Sequence, residues 1–163
     1  MNSTEVEHER KNYLISVDGS NHSGWGFDLI FKELFQKGDY ITVLHVSNHN
    51  KISDIPFKYQ PEQIMYKYES KLIGKLSTND FVLIEKPRDD PAVHALEVVF
   101  EVARNHKTDL IIMGTQGHKG IKSKKYISKG IMFLVKNINI PSMVMKESCQ
   151  REKKEDKGFT WLV

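Results

Sequence analysis

The feature that most restricts how this chain can fold is a fivefold alternation of short apolar runs with helix-patterned segments. The runs are 12–17 (Asn-Tyr-Leu-Ile-Ser-Val), 40–46 (Tyr-Ile-Thr-Val-Leu-His-Val), 81–85, 109–113 and 141–146. Each has strand length and is apolar almost throughout, as for a strand covered on both faces. After the first run, Phe27, Ile30, Phe31, Leu34 and Phe35 recur at i, i+3, i+4, i+7 and i+8, one stripe of a helix. Gly38 is expected to end that helix in a left-handed conformation. Residues 47–60, with Asn, Ser, Asp and Pro56, read as a loop. A second helix is predicted over about 61–77, with Met65, Tyr68, Leu72 and Leu76 on one side. Pro91 suits the first turn of a third, continued by Ala92, Leu96, Val99 and Ala103. A fourth, over about 125–137, uses Ile127, Ile131, Leu134, Val135 and Ile138. Buried strands joined through helices predict a parallel sheet, and right-handed crossovers then give a three-layer α/β/α sandwich. The length of 163 residues suits one such domain over 11–146. It leaves a polar arm at 1–10, expected to be disordered, and a charged tail at 147–163 ending in apolar residues.

Several classes are excluded. No apolar run approaches the ~20 residues of a membrane-spanning helix. Met1 to Lys11 has no apolar core and does not read as a secretory signal. The single cysteine, Cys149, can form neither an internal disulfide nor a cysteine metal cluster, so a reducing, cytoplasmic location is expected. The net charge of +3 is mild but unevenly spread. From Leu110 to Lys146 there is no acid, and lysines at 119, 122, 124, 125, 129, 136 and 146 bring that stretch to +7. Charge sorted in this way points to an anion nearby; the plainer alternative is a solvated lysine face.

In a doubly wound sheet, ligands bind beyond the carboxyl ends of strands, where the strand order reverses. Two strand ends stand out: Val17-Asp18-Gly19-Ser20, and Met113-Gly114-Thr115-Gln116-Gly117-His118-Lys119-Gly120. A glycine-rich turn followed by lysines and a helix N-terminus is a phosphate cradle in outline. It is neither a Walker loop nor the dinucleotide fingerprint. Simpler roles stand beside it: Asp18 as an Asx turn or helix cap, Ser20 and Asn21 as caps, His45 as a packed strand residue and His118 as a solvated loop residue. The histidines and acids show no metal-ligand spacing.

Taken together, Val17-Asp18-Gly19-Ser20, Leu44-His45-Val46, Asp109 to Gly117 and the closing Pro141-Ser-Met-Val-Met145 resemble the universal stress protein (UspA-like) family over about residues 11–146. The resemblance implies a Rossmann-like sheet of order 3-2-1-4-5, of the adenine nucleotide alpha hydrolase type. It also implies ATP, with Mg2+, as ligand. Asp18 would face the sugar and the backbone of Val46 the adenine. Gly114 and Gly117 would lie along the ribose and phosphates, and Ser128 and the amide of Lys129 on the phosphates. Ser16, Met113 and His118 complete the implied set. ATP-binding members carry G-x2-G-x9-G-[S/T]; here Gly114, Gly117 and Ser128 match, and Ile127 stands where the third glycine would be. Counting back from Pro141 instead puts Ser128 at that place. An isoleucine there would crowd phosphates that a glycine admits.

No orienting acid accompanies Ser128 and His118, so binding without efficient turnover is expected; the resemblance implies a stress or signalling switch. The alternative is a dimeric interaction module that has lost the nucleotide. Nucleic-acid binding is disfavoured, because the lysines lack interleaved aromatics. The resemblance further implies a homodimer through 141–146, an apolar strand at the sheet edge. The apolar end of the tail could fold back over that edge, add to the partner, or stay disordered.

Overall fold

The computed structural model describes residues 8–47, 55–88, 94–114, 132–133, 136–145 and 160–162. Strands β1 (Asn12–Ser16), β2 (Tyr40–Ser47), β3 (Phe81–Pro87), β4 (Leu110–Gly114) and β5 (Ser142–Met145) form a parallel sheet of order β3-β2-β1-β4-β5. That is the 3-2-1-4-5 order the resemblance implies. A sixth strand, β6 (Thr160–Leu162), adds antiparallel to β5.

The two periodicities explain the layers. Along β1, Tyr13, Ile15 and Val17 face one side and Leu14 the other; along β2, Ile41 and Val43 oppose Leu44. The first side is covered by α1 (Asn21–Leu29), the turn that continues it and α2 (Pro61–Ile73), through Phe27, Ile30, Ile64, Tyr68 and Leu72. The second is covered by α3 (Ala95–Asn105), through Val99, Phe100, Val102 and Ala103. Leu14, Ile15, Ile41, Leu44, Ile111 and Ile112 are wholly buried. Each stabilises the fold by about 1.5–3 kcal/mol relative to exposure. Among the described residues, no helix is long and apolar enough to cross a membrane.

Five local expectations change. The first helix passes into a π-helical turn, Ile30–Leu34, closed by the Phe35 amide donating to the Ile30 carbonyl at 2.8 Å. Gly38 does take a positive φ of 103°, but in the turn beyond the helix rather than as its cap. In α2 the buried stripe is Ile64, Tyr68 and Leu72, while Met65 and Leu76 are half-buried. The stretch read as a loop before it contains a 3-10 turn, Phe57–Tyr59. Finally, β5 is not the sheet edge: β6 folds back over it, the first of the three fates open to the tail. The predicted fourth helix lies mostly outside the described residues; 132–133 and 136–137 are helical.

A polar latch closes the opposite end of the sheet from the strand carboxyl ends. The Asp39 carboxylate, fully buried, accepts from the Lys11 amide at 2.8 Å, the Gln36 amide at 2.8 Å and His8 Nε2 at 2.7 Å. Residues 8–11 are thereby fixed to the turn that enters β2.

Candidate functional site

β1 leads outward through β2 to β3, and β4 outward to β5, so the reversal of order falls between neighbours β1 and β4. The carboxyl ends of β1 and β4 therefore lie side by side at this point. The β1–α1 loop is built from its own short-range hydrogen bonds. Asp18 Oδ1 accepts from the Ser20 amide at 2.9 Å, an Asx turn. Ser20 caps α1 by accepting from the Ser23 amide at 3.3 Å. Gly19, at φ 80°, lies beneath the Tyr59 ring and Ile64; a Cβ there would stand 2.9 Å from Tyr59 Cδ1. The simpler roles of Asp18 and Ser20 are thus realised. Asp18 is half-buried, and among the described residues its second carboxylate oxygen takes no hydrogen bond.

A buried hydroxyl pair ties this loop to α2. Ser23 Oγ donates to the Ser20 carbonyl at 3.0 Å and lies 3.3 Å from Tyr68 Oη, a contact in which either hydroxyl can donate. Burial pushes the Tyr68 phenol up to about 12 from 10.0; the Ser23 bond lowers it, and the charges of Asp18 and Asp28 raise it. The folded state therefore favours the neutral phenol. Its contribution is whole below pH 10 and is lost as pH rises from 10 toward about 12. Alkaline urea unfolding should show a fall of about 2–3 kcal/mol across that window, and Tyr68→Phe should flatten it. An equally steep fall in the Phe variant would remove Tyr68 as the cause.

Gly114 ends β4 directly under the first turn of α1. A Cβ on it would stand 2.9 Å from His22 Cβ and 3.3 Å from the Ser23 amide nitrogen. The two strand ends therefore meet through α1, and Gly114 is required by that approach. Ser16 is half-buried at the end of β1. Val46 is half-buried near the end of β2, its side chain against the α3-side core. The Met113 side chain is buried in that same core, leaving only its backbone at the strand end. His45 is buried, its Nδ1 donating to the Val17 carbonyl at 2.7 Å, as a packed strand residue would. Gly117, His118, Ser128 and Lys129, with Ile127 and the lysines from 119 to 129, lie outside the described residues. Among the described residues, no three His, Cys, Asp or Glu side chains gather to hold a metal ion.

Sequence reasoning missed three participants: His22 and Ser23, which carry α1 onto Gly114, and Tyr68, which it placed only in the core. Ser47 Oγ, donating to Glu85 Oε1 at 2.7 Å, adds a polar pair between the ends of β2 and β3.

The fold recurs in solved structures. The universal stress protein UspA from Lactobacillus plantarum superposes with a TM-score of 0.55 at 16% identity, over 84% of this chain and 99% of its own. The chain has the universal stress protein fold. Hypothetical protein MJ0577, the subject of a structure-based assignment of biochemical function, gives 0.56 at 18% identity, over 86% of this chain and 98% of that one. Hypothetical protein PH0823 gives 0.52 at 14%, over 87% and 99%. Against family models and curated proteins the sequence finds no match. The match spans nearly the whole of each of these solved structures.

Proposed function

We propose that this UspA-like chain binds an adenine nucleotide, ATP, in the crevice between the β1–α1 loop and the loop after β4, as a cytoplasmic stress or signalling switch rather than an efficient hydrolase. The observation that carries the reading is the convergence of the Asp18 turn and Gly114 at the reversal of strand order, with Gly114 near the start of the acid-free stretch that carries the lysines. The donor set suits the ligand. The second Asp18 oxygen is an acceptor for a sugar hydroxyl, and lysines at 119, 122, 124, 125 and 129 match a polyphosphate. Mg2+ would arrive on the phosphates.

One pair of observations favours the other reading, an interaction module without nucleotide. Ile127 replaces the third glycine, and the bareness of Gly114 is accounted for by α1 alone. Calorimetric titration separates the two. Asp18→Ala should weaken ATP about tenfold, the worth of one charge-assisted hydrogen bond. Charge reversal at Lys124 and Lys125 should weaken it further, most at low salt. Unaltered affinity in all three variants would remove the crevice as the site.

A further inference from the structure

Strand β5 bonds β4 on one side and β6 on the other. The second pairing is antiparallel, with Ser142 opposite Leu162, Met143 opposite Trp161 and Val144 opposite Thr160. That direction has a geometric meaning. A two-fold axis normal to a sheet and beside its outer strand brings an identical strand alongside in antiparallel orientation. β6 therefore engages the backbone groups of β5 that the β5 of a second copy would engage, and both cannot be seated at once.

We propose that β6 is a cap in cis: it keeps the chain monomeric by occupying a self-complementary edge, and its release lets two copies join through β5. The competing occupant is a second copy of this chain. β5 (Ser-Met-Val-Met) carries no charge, and Met143, Val144 and Met145 are buried, so the uncapped strand has none of the charges that natural edges use against pairing. The cap is weak by construction. It is three residues long, and the eleven residues from Glu147 to Lys157 include eight charged ones and no aromatic or branched apolar side chain to anchor it. Exchange of one antiparallel partner for another is therefore within reach of concentration alone. The cap does not depend on the nucleotide reading: it concerns the outer edge of β5, while the crevice lies between β1 and β4.

Sedimentation over about 1–100 µM tests it on three proteins: the intact chain, a chain ending at Lys157, and an intact-length chain with Thr160→Pro and Trp161→Pro. The adjacent prolines remove an inward N–H whichever residue faces β5. The intact chain should sediment as the 18.9 kDa monomer. Both variants should dimerise about tenfold or more tightly, the worth of a few interstrand hydrogen bonds. Circular dichroism confirms that they are folded. Folded variants that stay monomeric would overturn the cap, as would an intact dimer that truncation dissociates, since β6 would then bridge two copies. Amide exchange provides a reading on the intact chain alone. Slow exchange at 160–162 in the monomer supports the cap; exchange there as fast as in an unstructured peptide overturns it.

Discussion

Gly114→Val should destabilise the domain by about 2–3 kcal/mol, the cost of forcing volume into a closed contact. The atoms in the way, His22 Cβ and the Ser23 amide nitrogen, belong to or adjoin the backbone of α1 and are not free side-chain tips. The helix cannot simply retreat, because Phe27 and Ile30, fully buried, hold it to the sheet. The strain falls on the Ser20–Ser23–Tyr68 hydrogen bonds, so the β1–α1 loop should lose its shape with the stability. Urea unfolding measures the effect as a lower midpoint at unchanged slope. Gly74→Ala is the control: Gly74 has an ordinary φ of −80° and open space around its Cβ position, so the change should stay within about 0.5 kcal/mol. A Gly114→Val protein as stable as its parent would show that α1 does not bear on β4.

Asp39→Ala should cost about 2–4 kcal/mol, comparable with the loss of a buried charge from its partners. Three donors converge on this carboxylate: the amides of Lys11 and Gln36, and the ring of His8. Alanine would strand the two amides and free the segment before β1. Asp39→Asn, which keeps one acceptor oxygen, should cost less. His8→Ala should cost least, because it removes a half-exposed partner and leaves both amide bonds in place. The same urea measurements order the three; a harmless Asp39→Ala would refute the latch.

The parallel sheet was legible in sequence because its strands are buried on both faces, and continuous apolar runs such as Leu14-Ile15 and Leu110 to Met113 have few other uses. Helix ends and phases were less so. The stripe through Phe27 and Ile30 fixed a helix, but the π-helical turn stops it at Leu34, before Gly38 can act as its cap. In α2, Tyr68 and Leu72 belong to both possible stripes, and the choice of Ile64 over Met65 depends on how Pro61 starts the helix. Asp39 had no signal at all, being one acid between a glycine and a tyrosine, and its importance comes from donors 28 and 31 residues away. β6 was equally open, since three residues beyond a charged run carry no period that selects an edge.

At the site, Asp18 and Gly114 were found from their place after strands. The sequence did not reveal that Gly114 answers to α1, because His22 lies 92 positions earlier and only the fold brings them together.

Titration of ATP into nucleotide-stripped protein tests the central proposal most directly. A saturable heat at one nucleotide per chain, weakened by Asp18→Ala, is the expected result. No binding at about millimolar ATP by a folded protein would contradict it and leave the interaction module as the function.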